Sequence, residues 1–189
     1  MMALDWSYSM KAMDFEPNRL EAEKKVIAEF VTGRVSDQIG CVLFGTTAFT
    51  LCPLTLDYGV IKGFLQNVEF GIVDGNRTAI GLGLATCVNK LKDSKAKSKV
   101  IILATDGENN VWDIAPNKAA EAAKALGIRV YTIGVGTIGR AMVPMDRGVF
   151  GIVNVPMEVR IDEASLTEIA KMTGAVSYTH LTLPTISSV

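Results

Sequence analysis

Short apolar runs alternate along this chain with stretches whose apolar residues recur at helical spacing. Residues 39–44, 99–104 and 129–134 are of the length and composition buried on both faces of a parallel sheet. Between them, Leu20, Ile27, Phe30 and Val31 form a helical face behind Asn18, with Glu21 three residues on as in a capping box. Ile80, Leu84, Val88 and Leu91 form a second face, and residues 119–126, stopped by Gly127, a third. Asp162 is placed to cap a last helix over 163–172 that Gly174 ends. Residues 47–54 are β-prone and follow the second run through Gly45, too soon for a crossover helix, so they should pair antiparallel at an edge. The alternation predicts a doubly wound, Rossmann-like α/β fold: a mostly parallel sheet with one antiparallel edge strand and helices on both faces. Residues 137–160, rich in Gly, Pro and Val, read as a loop or small hairpin before the last helix.

In such sheets ligands sit beyond the carboxyl ends of the strands. Asp5 and Asp106 each follow an apolar run directly, so topology brings them to one rim. Three pieces, Asp5-Trp6-Ser7-Tyr8-Ser9, Thr78 and Thr105-Asp106-Gly107, have the residue types to hold one hard divalent cation from three loops. Mg²⁺ takes an octahedral oxygen shell, commonly one or two carboxylates completed by hydroxyls and water. Taken singly, Asp5, Ser7 and Ser9 also suit a turn, and Thr78 suits the N-cap of a helix beginning at Ala79. Two carboxylates converging in a partly desolvated pocket, however, repel and require a cation or a raised pKa.

The three pieces, in this order, resemble the metal-ion-dependent adhesion site (MIDAS) of von Willebrand factor A domains, written D-x-S-x-S, then Thr, then Asp. The resemblance runs from end to end. It is closest to the bacterial Bat-type aerotolerance proteins, through Leu4-Asp5, Met13-Asp14-Phe15-Glu16-Pro17-Asn18-Arg19-Leu20, Thr105-Asp106-Gly107-Glu108-Asn109-Asn110 and Gly127-Ile128-Arg129-Val130-Tyr131-Thr132-Ile133-Gly134-Val135-Gly136. It implies that Asp5, Ser7, Ser9, Thr78 and Asp106 hold Mg²⁺, with Mn²⁺ or Ca²⁺ as substitutes. An exchangeable position would then accept an Asp or Glu carboxylate from a partner protein. Tyr8 stands where the motif commonly has Gly; with Glu108, Asn109 and Trp112 it is the candidate partner contact, while Trp6 suits packing as well as contact. The resemblance further implies a parent anchored in a bacterial inner membrane, associated with other such domains and an ATPase.

With 189 residues, 49% hydrophobic and 21% charged, the chain can bury one sizeable core. A net charge of −1 and the absence of a basic patch exclude a nucleic-acid partner held through phosphates. The five lysines from Lys90 to Lys99 are interrupted by Asp93 and read as a solvated connection. Cys41, Cys52 and Cys87, spaced widely in apolar segments, read as buried thiols, with a Cys41–Cys52 bridge between neighbouring strands left open. No run approaches the roughly 18 apolar residues of a membrane span, so no direct membrane contact is expected.

An enzyme is the rival class. An aspartate after the first strand is also the layout of Mg²⁺-dependent aspartyl phosphotransferases and phosphatases, but those carry a second acid two residues on, where this chain has Ser7. No nucleotide loop or nucleophile elbow is present, and no catalytic residue is assigned. A structural scaffold with a vacant site is the third class.

The ends are irregular. A central strand of about five or six residues should end at Asp5, but only residues 1–4 precede it, so the first strand is expected to be truncated. The domain is expected over 1–175, short of the family's last strand and helix. Residues 176–189, with no charged side chain, read as a non-native or disordered tail holding the only histidine, His180.

Overall fold

A computed structural model describes residues 1–178 of the chain. Strand β1 (Met2–Asp5) lies at the centre of a six-stranded sheet with β2 (Ile39–Phe44), β3 (Ala48–Thr55), β4 (Lys99–Thr105), β5 (Ile128–Gly134) and β8 (Ser177–Tyr178). The order is β3-β2-β1-β4-β5-β8, parallel throughout except for β3, which pairs antiparallel with β2. The doubly wound sheet and its antiparallel edge are therefore as the residue pattern predicted. In-register pairs Asp5↔Phe44 and Leu4↔Ala104 put the ends of β1, β2 and β4 on one rim.

Among the described residues five α-helices flank the sheet: α1 (Arg19–Thr32), α2 (Tyr58–Asn67), α3 (Ile80–Leu91), α4 (Pro116–Ala125) and α5 (Glu163–Met172). Alternation along the strands divides the core into two clusters. Met2, Leu4, Cys41 and Leu43 face one layer with Leu20, Ile27, Ile61 and Leu65 of α1 and α2. Ala3, Val42, Phe44 and Leu103 face the other with residues of α3, α4 and α5. Asn18 caps α1 by accepting from Glu21 N at 2.9 Å, and Asp162 caps α5 by accepting from Ser165 N at 3.0 Å. Helix α2 was absent from the pattern reading, although Asp57 caps it and Ile61 and Leu65 are buried. Antiparallel β3 needs no crossover before it; α2 follows it and packs against β2, β3 and α1, and α3 lies across β3, β2, β1 and β4 before the chain enters β4.

Residues 137–160 contain a hairpin of β6 (Gly139–Asp146) and β7 (Ile152–Val159), paired from Gly139↔Val159 to Asp146↔Ile152 and separate from the main sheet. All three cysteines are buried and free, Cys41 lying in register with Cys52. Just beyond the expected end of the domain at 175, Ser177 and Tyr178 pair parallel with Thr132 and Ile133, so the sheet extends to Tyr178. The remainder of the expected tail, with His180, lies outside the described residues. Among the described residues no helix is long and apolar enough to cross a membrane.

Candidate metal-binding rim

At the end of β1 the chain turns sharply. Asp5 is fully buried; its Oδ1 accepts from Ser7 N at 2.8 Å and its Oδ2 from the Thr105 hydroxyl at 2.6 Å. Ser7 Oγ and Ser9 Oγ are 2.7 Å apart, the latter within a 3₁₀ turn over Tyr8–Lys11. Thr105 Oγ1 also accepts from Gly107 N at 3.0 Å, holding the turn that presents Asp106.

Thr78 reaches this rim between two loops. Its backbone N–H donates to Asn110 Oδ1 at 2.7 Å and its carbonyl accepts from Asn110 N at 3.1 Å, while Tyr8 N donates to Gly75 O at 2.8 Å. The capping alternative for Thr78 does not hold: α3 begins at Ile80, and no side chain of its own N-cap residue, Ala79, serves it. Ile80 N is taken instead by Asn109 Oδ1 at 2.9 Å, and Asn109 Nδ2 donates to Val111 O at 2.7 Å. Asn109 thus spends both ends of its amide on backbone and shapes the rim.

The electrostatics are those of a buried acid pair with an arginine on one of its members. Burial first, and then the Asp106 carboxylate, push Asp5 from 3.8 up to about 7, against the hydrogen bonds from Ser7 and Thr105. Burial raises Asp106 as well, against the downward pull of Ser9 and Arg19. Two buried carboxylates flanked by hydroxyls on three loops fit the oxygen donor set of a hard divalent ion. Among the described residues no group of three or more His, Cys, Asp and Glu is placed to hold a metal.

Around the rim, Trp112 is 87% exposed and Tyr8 39%, and Glu108 is exposed, whereas Trp6 is fully buried with Nε1 donating to Glu69 O at 3.0 Å. Trp6 is therefore a packing residue. A cleft of about 940 Å³ lined by Met1, Phe30, Leu54, Lys97 and Arg129 opens at the amino ends of the strands, opposite the rim, and contains none of these residues.

Three groups outside the expected ligand set also belong to this rim. Thr105 fixes the second oxygen of Asp5. Arg19, 1% exposed, binds Asp106, and Glu23, 2% exposed, lies one turn further along α1. The signal for the last two was their spacing: 19, 23 and 27 fall on one helical face, which places two charges in line with buried Ile27.

The family model of the von Willebrand factor type A domain matches residues 1–181. The chain belongs to that family. An uncharacterised protein of Borreliella burgdorferi is 32% identical over 94% of this chain, and a UPF0353 protein of Nocardia farcinica is 31% identical over 100% of it. The chain spans only 52% and 60% of the lengths of these two relatives. Among solved structures, an aerotolerance-related membrane protein from Bacteroides fragilis superposes with a TM-score of 0.82 at 32% identity, covering 95% of this von Willebrand factor A domain and 90% of that chain. BatB from Bacteroides thetaiotaomicron gives 0.78 at 32% identity, covering 95% and 88%. Proximal thread matrix protein 1 from the mussel byssus, in a structure with a zinc-occupied MIDAS motif, gives 0.69 at 25% identity over 95% of this domain and 43% of that chain.

Proposed function

We propose that this domain is an ion-dependent protein-binding module. Asp5, Ser7, Ser9, Thr78 and Asp106 hold one divalent cation, Mg²⁺ by preference for their all-oxygen set, with Mn²⁺ or Ca²⁺ as substitutes. The observation that carries this reading is the buried Asp5–Asp106 pair: burial first, and then the Asp106 carboxylate, raise Asp5 to about 7, a charge deficit that a divalent ion would relieve. Two acids and three neutral hydroxyls leave a coordination position for a carboxylate from a partner, so recognition is charge-assisted and requires the ion. Tyr8, Glu108 and exposed Trp112 are the candidate contacts for that partner, and Trp112 offers an aromatic anchor. The similarity to an aerotolerance-related membrane protein supports a membrane-anchored bacterial parent, in which other domains of this family and an ATPase are candidate partners.

Thermal unfolding in EDTA and across a Mg²⁺ and Mn²⁺ titration tests the reading. An ion that binds only the native state raises the midpoint with its concentration, by about 2.7 kcal/mol of stability at a hundredfold excess over Kd. Ser9→Ala and Asp106→Ala are expected to abolish the rise. Asp106→Ala should stay folded in EDTA, because Arg19 keeps its paired contacts with Asp14. A wild-type midpoint indifferent to both ions sinks the proposal.

A further inference from the structure

Arg19 has no place in an ion's coordination shell, yet its guanidinium is buried and aimed at the rim. Nε and Nη2 donate to the two carboxylate oxygens of Asp14 at 2.7 Å each, and Nη1 donates to Asp106 Oδ2 at 3.2 Å. The arrangement is built from both sides. Asp14 Oδ2 also accepts from the backbone N–H and the hydroxyl of Thr137 at 2.9 Å each. Burial alone would raise Asp14, but Arg19 and Thr137 outweigh it and hold the carboxyl below its ordinary range. Behind the guanidinium lies Gly136, at φ +146°, where a Cβ would stand 2.8 Å from Arg19 Cζ. The side chain at 136 is thus excluded both by backbone conformation and by the arginine.

A buried guanidinium is tolerated only when its charge is matched. Asp14 matches it bidentately, and an Nη1 N–H is given to one of the two acids of the ion rim. We propose that Arg19 is the resident counter-cation of this rim and sets its affinity for a divalent ion. It occupies an oxygen of Asp106 and places a fixed positive charge beside the cation, while Asp14 determines how much of that charge the cation feels. The Met13–Leu20 segment is then a tuning device for the ion as well as the entry to α1. This inference rests on the ion-binding reading of the rim.

Isothermal titration of the whole chain with Mn²⁺, alongside midpoints in EDTA, tests it through a pattern of signs. Arg19→Met should bind Mn²⁺ about tenfold more tightly, because a like charge close to the ion is gone. The same variant should unfold at lower temperature in EDTA, since Asp14 loses its partner. Arg19→Lys keeps the charge and should stay near the wild-type affinity. Asp14→Asn unmasks the guanidinium and should weaken binding several-fold. An arginine that only positions Asp106 would give the opposite sign for Arg19→Met, weaker binding together with lower stability, and that result overturns the proposal. So does an unchanged affinity in Asp14→Asn, which keeps the test decisive if Arg19→Met does not fold. If wild type itself takes up no Mn²⁺, the ion reading falls and this one with it. Wild-type binding with variants that match it overturns the tuning role alone.

Discussion

On α1 the buried face contains two charged residues, and only one of them is paired. Arg19 has Asp14 and Asp106, but neither carboxylate oxygen of Glu23 has a hydrogen-bond partner among the described residues. Burial first, then the Asp5 and Asp106 carboxylates, raise Glu23 well above its usual 4.5. The sign for stability follows from which state holds the proton. Above about pH 4.5 the unfolded chain releases it while the folded protein keeps it, so the native state binds more protons and stability falls as pH rises toward the folded value. One such proton gives a slope of about 1.4 kcal/mol per pH unit. Asp5, raised to about 7, adds a fall of the same sign between its ordinary value and 7. Glu23→Gln should therefore unfold at about the same temperature as wild type near pH 4 in EDTA. It should gain on wild type as pH rises above about 4.5, at up to about that slope, because the glutamine has no proton to lose. Parallel pH profiles for the two proteins would contradict this account. The five proposed ion ligands could be named from the sequence because their types occur in the order of the family's motif. Glu23 and Arg19 were not read as buried, because a charge on a helix is ordinarily solvated and only tertiary packing decided otherwise.

Among the elements, strands β2, β4 and β5 were visible as apolar runs because burial on both faces removes the polar alternation. Helix α2 was hidden: its ten residues hold two glycines, Gly59 and Gly63, and exposed Val60 and Phe64 blur the apolar face. Glycine in α3 has a different meaning. Gly81 lies where α3 passes the loop before α4, and a Cβ there would fall 1.9 Å from Ile114 O and 2.8 Å from Ile114 C. A glycine-to-alanine change inside an open helix stabilises by about 0.5–1 kcal/mol. Here the added methyl meets backbone, which cannot rotate away as a side chain can. Gly81→Ala is expected to destabilise by more than about 2 kcal/mol in urea unfolding. Gly63→Ala in α2, with nothing within 4 Å of the added atom, should have the opposite sign. Equal effects at the two positions would show that helix propensity, rather than the α3–α4 approach, governs both.

At the scale of the molecule, the sheet and its five helices form one body, and the β6–β7 hairpin stands apart from it. Neither core cluster includes a residue of the hairpin, and of its residues only Ala141 is among those described as buried. Met142, Met145, Ile152, Val153 and Met157 are instead exposed by 38% to 75%. Its tie to the rim is the bond from Met13 N to Met142 O at 2.8 Å, beside the Asp14–Thr137 contacts that precede the hairpin. Gly and Pro in this segment pointed to a loop or hairpin, but no periodicity could tell that it pairs with itself instead of widening the sheet. Self-pairing brings its two ends together at Gly139↔Val159, so the hairpin can be removed without stretching the chain. Replacing residues 140–158 by a two-residue Asn-Gly turn, which suits a tight connection of paired strands, should leave a cooperatively folded protein. Its stability should lie within about 2 kcal/mol of wild type, the scale of one backbone hydrogen bond and a few half-buried side chains. The ion response should persist, since Asp14, Arg19 and Thr137 all remain. Circular dichroism during thermal unfolding, in EDTA and with Mn²⁺, reads both quantities. Loss of the cooperative transition would mean that the hairpin completes the core. A folded variant without an ion response would instead place a determinant of the rim within the hairpin itself.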